Sequence, residues 1–149
     1  MALPPVGHLV RRFARSLNRR PPSAADDRWA EAWLAAGPAA LWASMPVADR
    51  RHSIEVARRF RQRRPEASHA EMAGALLHDV GKTVAGLGTA GRVLATVVGP
   101  RTPRLRRYHD HEAIGARLAA TAGADAATVA LVGGAGPAAT DLQAADDSI

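Results

Sequence analysis

The sequence contains no cysteine, few aromatic residues and a single lysine. Without cysteine the chain cannot form a disulfide or a thiolate metal site, and the cytoplasm is its expected compartment. Aromatic residues make up 4% of the chain, whereas hydrophobic residues make up 47% and are dominated by alanine. A β-sandwich would need more Val, Ile, Thr and aromatic side chains. The composition therefore favours helices that pack through small residues.

Long apolar runs are also missing. The best candidate, residues 93–98, is far shorter than the roughly 18–20 residues that a transmembrane helix needs. The N-terminus lacks the continuous apolar segment of a secretory signal, so we expect neither secretion nor a membrane partner. A length of 149 residues fits one small domain that buries a core.

The positive charge is carried almost entirely by arginine. The net charge is +6, and Lys82 is the only basic residue that is not arginine, histidine aside. Arginine clusters within residues 58–64 and 101–107 are candidates for contacting phosphate groups. A nucleic-acid partner is the less favoured interpretation, because charge runs usually lie on exposed faces. A GC-rich coding bias would also raise the arginine content whatever the function.

Proline, glycine and capping residues divide the chain into helices. We predict a poorly ordered or loosely packed N-terminal segment over 1–25, and a single all-helical domain over 26–149. Within 1–25, residues 6–17 suit a short basic amphipathic helix. The domain's predicted helices cover approximately residues 26–36, 46–64, 68–79, 89–98, 106–122, 124–132 and 139–147.

Local signals set the ends of these helices. Asp26 and Asp27 are the predicted cap of the first helix, and Gly37-Pro38 its predicted end. Ser68 with Glu71 has the spacing of a capping box, in which each residue's side chain accepts a hydrogen bond from the other's backbone N–H.

The most informative segment is residues 76–82, Leu-Leu-His-Asp-Val-Gly-Lys. Its adjacent His78 and Asp79 offer one nitrogen and one oxygen ligand at the end of a helix. Such a mixed set suits a borderline divalent metal such as Mn, Fe, Co, Ni or Zn. His52 precedes the pair, and His111 and Asp146 follow it, so the remaining ligands of a metal site are available in the chain.

Helical periodicity selects among neighbouring candidates. His52 shares a stripe with apolar residues four and eight positions later, so its side chain should point inward. His111 shares the apolar stripe of its helix, whereas His109 falls on a more polar face. Asp146 has an inward register, and Asp147 should face outward. We therefore select His111 and Asp146 as the candidates.

The order of these residues resembles that of the HD-domain superfamily of metal-dependent phosphohydrolases, over about residues 46–149. The central segment Ala-Leu-Leu-His-Asp-Val-Gly-Lys, residues 75–82, is close to the family's signature. Three further segments resemble the family's first-histidine helix, its next histidine helix and its final-aspartate helix, namely residues 50–57, 111–116 and 142–147. The resemblance implies an all-α HD-domain bundle of about 6–8 helices.

The resemblance also implies roles for individual residues. His52, His78, Asp79 and Asp146 would hold one divalent ion tightly, the metal being Mn, Fe, Ni, Co, Zn or Mg. Asp79 would serve catalysis as well, as a bridge where a second ion binds. Lys82 would hold a phosphate or offset charge on the departing oxyanion. His111 is a candidate for either a second-metal ligand or a proton-transfer group.

One departure from the family pattern concerns the loop after residue 132. Relatives with a fuller ligand set carry another histidine there, often a His-His pair, but this chain has Gly-Gly-Ala-Gly-Pro over residues 133–137. A second ion should therefore bind weakly or not at all. Two hypotheses stay open. One is a metal-dependent phosphohydrolase that acts on a phosphomonoester or nucleotide through a metal-activated water. The other is a catalytically degenerate module that binds a metal or nucleotide for sensing or scaffolding.

Overall fold

The computed structural model describes residues 20–82 and 107–149, apart from the side chains of 107–110. Within these ranges the chain forms seven helices and no strand, which confirms the predicted all-α bundle of about 6–8 helices. The helices, numbered in chain order, are α1 Ala24–Glu31, α2 Ala36–Ala43, α3 Val47–Arg63, α4 His69–Leu77, α5 Arg107–Thr121, α6 Ala126–Val132 and α7 Ala139–Asp147.

The two helices that carry the first half of the motif begin and end close to the predicted positions. Pro46 precedes α3, and Arg64 follows its last residue. At α4 the predicted capping box is present. The Glu71 N–H donates to Ser68 Oγ at 3.1 Å, and the Ser68 N–H donates to Glu71 Oε1 at 3.0 Å. The reciprocal bonds fix the start of α4 and so the position of the residues at its end.

The prediction for the first helix was wrong at both ends. Ser23 rather than the aspartates is the cap, since its Oγ accepts from the Asp26 N–H at 3.1 Å. The helix ends at Glu31, and Gly37-Pro38 lie within the first turn of α2 instead of terminating α1. A proline fits there because the first turn of a helix needs no hydrogen bond from its backbone nitrogen.

The core surrounds α4, whose residues 72–77 are all buried. Helix α4 packs against α3 and α6, while α7 packs along α3 and α5 packs against α6. Large side chains fill the centre, notably Trp42, Phe60, Met72 and Leu76, each at most 1% exposed. Trp42 Nε1 donates to Ser53 Oγ at 3.0 Å, which satisfies the polar atom of a buried indole. This packing places the end of α4 between α3 and α7.

Several predictions fall outside the described residues. They are the helix over 6–17, the helix over 89–98 and the arginine cluster within 101–107, of which only the backbone of Arg107 is described. The predicted loose segment over 1–25 lies almost wholly outside as well. Among the residues that are described, no helix combines the length and the apolar character that crossing a membrane requires.

Candidate metal centre

Four of the predicted site residues meet in one place. His52 comes from the middle of α3, His78 and Asp79 directly follow α4, and Asp146 lies in the last turn of α7. Each offers one ligand atom, and all four atoms lie within 4.8 Å of one another. With metal–ligand distances of about 2.0–2.2 Å, donor atoms around one ion lie up to about 4.4 Å apart. The four donor atoms are thus spread slightly wider than around a bound ion, and a small inward shift of the side chains would let them hold one.

The shortest contacts in this group join histidine nitrogens to carboxylate oxygens. His52 Nε2 lies 2.9 Å from Asp146 Oδ1 and 3.9 Å from Asp79 Oδ2. His78 Nε2 lies 3.3 Å from Asp79 Oδ2 and 3.7 Å from Asp146 Oδ1. Two nitrogens and two oxygens thus face one another, a combination that borderline divalent metals accept.

The orientation of His78 is set by the backbone of α4. Its Nδ1 lies 2.7 Å from the Ala75 carbonyl oxygen, which accepts a hydrogen bond from the Nδ1–H tautomer. With Nδ1 engaged in this way, Nε2 is the nitrogen that would bind a metal, after giving up the proton that it carries in the metal-free protein. The side chain is only 10% exposed, and Nε2 is buried without a hydrogen-bond partner. A buried polar atom of this kind is costly unless something satisfies it, and a metal ion would.

The charges of the group are strongly coupled. Burial alone would lower the pKa of His78, but the Asp79 and Asp146 carboxylates outweigh it and raise the pKa to about 10. Burial would raise the pKa of Asp79, yet the His78 and Lys82 charges hold it well below its usual range. Burial would likewise raise the pKa of Asp146, but the hydrogen bonds and charges of His52 and His78 outweigh it and hold the pKa well below its usual range. The two carboxylates are therefore ionised at neutral pH, ready to bind a cation.

Two glycines bring α5 onto the turn that carries the motif. A Cβ on Gly81 would overlap the His111 carbonyl oxygen and would lie 2.9 Å from the Gly115 nitrogen. A Cβ on Gly115 would in turn lie 3.3 Å from the Gly81 nitrogen. The backbones approach so closely because neither residue has a side chain. This approach places His111 beside the metal group, which consists of His52, His78, Asp79 and Asp146.

A cleft of about 460 Å³ opens over the metal group. His78, Asp79 and Asp146 line it, as do Lys82 and His111, so the cleft brings together all the predicted site residues except His52. Lys82 Nζ lies 3.1 Å from Asp79 Oδ1 and its side chain is 42% exposed. His111 lies outside the group of four ligand atoms, and its predicted roles stay predictions. Asp147 is exposed at the cleft, where Gln143 Nε2 donates to its Oδ1 at 2.9 Å.

Two acidic residues that the sequence patterns did not single out, Asp49 and Glu112, also lie at the site. Asp49 is half-buried one turn before His52 on α3. Burial raises the pKa of its carboxyl group, and the negative charge of Asp79 raises it further. The spacing of three residues between Asp49 and His52 could have predicted its position from the sequence, because residues three apart share a helix face. Glu112 lines the cleft beside His111, but consecutive residues within a helix do not share a face, so helical periodicity gave no such signal for it.

The described arginine cluster makes contacts within the protein. Arg58 forms an ion pair with Asp26 at 2.6 Å and stacks over Trp29. Arg59 donates to the Ser148 carbonyl oxygen at 2.7 Å, beyond the end of α7. These contacts give the cluster a structural role, which agrees with the interpretation of the charge run as an exposed face.

No family model, curated protein or solved structure matches the chain.

Proposed function

We propose that the chain is a metal-dependent phosphohydrolase of the HD type, acting on a phosphomonoester or nucleotide. The observation that carries the proposal is the convergence of His52, His78, Asp79 and Asp146, from distant parts of the sequence, into a group whose ligand atoms lie within 4.8 Å. The buried Nε2 of His78 supports it, because that atom makes no hydrogen bond and faces the Asp79 and Asp146 carboxylates, with which it would share an ion. The cleft supplies space for a substrate beside the group.

His52, His78, Asp79 and Asp146 would hold the ion. When bound there, a divalent ion would lower the pKa of a water and polarise a phosphoryl oxygen. The Ala75 carbonyl keeps His78 in the tautomer that presents Nε2 to the group. Asp79 and Asp146 remain ionised, so their negative charge favours cation binding over a wide pH range.

Lys82 and His111 would act on the substrate. Lys82 contacts Asp79 through Nζ and is partly exposed to the cleft. Its ammonium group is therefore positioned to donate a hydrogen bond to a phosphate oxygen. A fixed positive charge there stabilises the negative charge that develops as the ester bond breaks. His111 lines the same cleft and would deliver a proton to the departing oxygen.

A catalytically degenerate binding module is the second candidate. The loop over 133–137 favours it, since Gly134 lines the cleft and brings no side chain to the place where a second ion's ligand would be expected. Such a module would bind a metal or a nucleotide without turning it over. Stabilisation by ligand with no phosphate release would distinguish it from the enzyme.

The test is phosphate release from a panel of p-nitrophenyl phosphate and nucleoside mono-, di- and triphosphates. Wild-type protein should be assayed with Mn²⁺, Fe²⁺, Ni²⁺, Co²⁺, Zn²⁺ and Mg²⁺ in turn, beside Asp79→Ala. Asp125→Ala is the matched control, because Asp125 is exposed and its side chain makes no capping bond at the start of α6. We expect metal-dependent turnover that Asp79→Ala abolishes and Asp125→Ala retains. Turnover unchanged in Asp79→Ala would sink the proposal.

A further inference from the structure

The cleft has a polar rim to which the proposed reaction assigns no role. Beyond the metal group, Lys82 and His111, the rim carries four further polar side chains from α5 and α7. They are Glu112, Thr140, Gln143 and Asp147. Their hydroxyl, amide and carboxylate groups offer hydrogen bonds to a substrate rather than apolar contact.

The carboxylate of Glu112 occupies space that a glycine leaves free. It lies against Gly134, where a Cβ would stand 2.6 Å from Glu112 Oε2. Gly134 also has a φ of 79°, in the left-handed region that side chains other than glycine's rarely adopt. Both residues line the cleft. The loop over 133–137 supplies no metal-binding side chain to the wall of the cleft. At Gly134 it instead leaves space for the carboxylate of Glu112.

The side chain of Glu112 lines the cleft, where its carboxylate can reach a ligand. The side chain is half-buried, which limits its freedom, and within the described part of the chain it enters no hydrogen bond or ion pair. An ionised carboxylate is only an acceptor of hydrogen bonds. The substrate group that fits it is therefore a donor, such as a hydroxyl.

The charges of the described lining limit the number of phosphates. Apart from histidines, Lys82 is its one cation, whereas Glu112 and Asp147 add negative charge beyond the metal group. Lys82 with one divalent ion would carry +3, and the Asp79 and Asp146 carboxylates reduce this to about +1, so little positive charge remains beyond what a single phosphate takes up. Each additional phosphate would have to lie near Glu112 or Asp147, where like charges repel. The lining thus favours a monoester over a polyphosphate.

We propose that Glu112 is a specificity residue, which accepts a hydrogen bond from a hydroxyl in the alcohol part of a phosphomonoester. The substrate class is a polyhydroxylated monoester, either a sugar phosphate or a ribonucleoside monophosphate, and polyphosphates are disfavoured. The inference rests on the proposed function. The cleft volume of about 460 Å³ lies within the range of roughly 300–1,000 Å³ that is usual for small-molecule sites.

The test compares esters with and without hydroxyl groups. Initial rates with the activating metal give kcat/KM for ribose 5-phosphate, adenosine monophosphate, adenosine triphosphate and p-nitrophenyl phosphate, whose alcohol part has no further hydroxyl. Glu112→Ala should lower kcat/KM for ribose 5-phosphate or adenosine monophosphate by about 10–100-fold, the effect of losing a hydrogen bond to a charged group. Most of the loss should appear in KM, because the contact is remote from the reacting bond. The kcat/KM for the p-nitrophenyl ester should change less than about twofold.

The two hydroxylated esters distinguish the two kinds of substrate. The one whose kcat/KM falls more in Glu112→Ala identifies either the sugar phosphate or the nucleotide as the better substrate.

A second variant and a control keep the result interpretable. Gly134→Ala should reproduce the substrate-dependent loss, since the new Cβ would displace the Glu112 carboxylate. Glu66→Ala removes the same charge from a side chain that is 72% exposed, and should leave every ester unchanged. Equal losses on all esters in Glu112→Ala, or adenosine triphosphate turned over as well as the monophosphate by wild type, would overturn the inference alone. No turnover of any ester by wild type would overturn the proposed function, and this inference with it.

Discussion

His52 Nε2 lies 2.9 Å from Asp146 Oδ1, although 94 positions separate the two residues in the chain. The contact joins the middle of α3 to the last turn of α7. His78 and Asp79, at the end of α4, complete the group. Three separate helices thus converge on four potential ligand atoms, and the packing of the whole bundle determines whether the site forms.

The register of α7 can be tested with two neighbouring aspartates. Asp146→Ala should lower the affinity for Mn²⁺ or Zn²⁺ by more than about 100-fold, since even a partner of a ligand typically contributes 10–100-fold. Asp147→Ala should leave the affinity within about threefold, because Asp147 is exposed and lies outside the group of four. Calorimetric titration of metal into chelator-treated protein measures both. Equal losses in the two variants would contradict the assignment.

Lys82 should matter for turnover and not for metal binding. Lys82→Met removes the charge beside Asp79 and should lower kcat by about 10²–10³-fold, the usual effect of losing one group that stabilises developing charge. Metal content should be unchanged, because lysine is absent from the ligand group. Lys82→Arg keeps the charge and should recover part of the rate. A variant that lost its metal together with its activity would show a structural role instead.

The close approach of α5 should make Gly81 intolerant of a side chain. Gly81→Ala would place a Cβ on the His111 carbonyl oxygen, and overpacking of this kind typically destabilises a protein by about 1–3 kcal/mol. Gly133→Ala is the matched control. Its nearest neighbour would lie 3.4 Å away and its φ is −76°, so we expect a change within about 0.5 kcal/mol. Urea unfolding of both variants measures the difference, and equal stabilities would contradict the packing described.

The metal-free protein should lose stability as the pH rises above neutrality. His78 has a pKa of about 10 in the folded chain, against an ordinary value of 6.5. Its contribution is thus present in full below pH 6.5 and is lost as the pH rises through 10. Asp79 and Asp146 affect stability in the acid range instead. Because their pKa values are lowered in the folded chain, the stability that they contribute is present at neutral and higher pH and is lost only as the pH falls into the acid range.

The measurement is the urea midpoint in the presence of chelator between pH 6 and pH 10. We expect the midpoint to fall over this range in wild type and in His69→Gln, which alters an exposed histidine. In His78→Gln the fall should be much smaller. A wild-type midpoint that stayed constant across the range would show that His78 is not held as an ion between the two carboxylates.

The sequence predicts the helices best where several signals agree. For α3 and α4, a proline or a capping box coincides with the start of an apolar stripe, and the structure confirms the bounds within about two residues. In the segment before α3, Ser23, Asp26 and Asp27 compete as caps, and one proline fits either the end of one helix or the first turn of the next. Tertiary packing decides between these alternatives, as when Pro38 is buried within α2.

Much of the candidate site was also accessible from the sequence. Periodicity separates Asp146 from Asp147, and adjacency pairs His78 with Asp79. The role of Glu112 was not accessible, because it depends on where Gly134 passes in space. A contact between a loop and a helix far from it in sequence has no local signature, so only the folded chain reveals it.

The most direct test is the metal content of purified protein, measured by plasma mass spectrometry beside Asp79→Ala prepared identically. We expect about one transition-metal ion per chain in wild type and none in the variant, because Asp79 supplies one of the four ligand atoms. Wild-type protein that is metal-free and takes up no Mn, Fe, Ni or Zn would contradict the proposed metal centre. Equal metal content in the two proteins would contradict it as well.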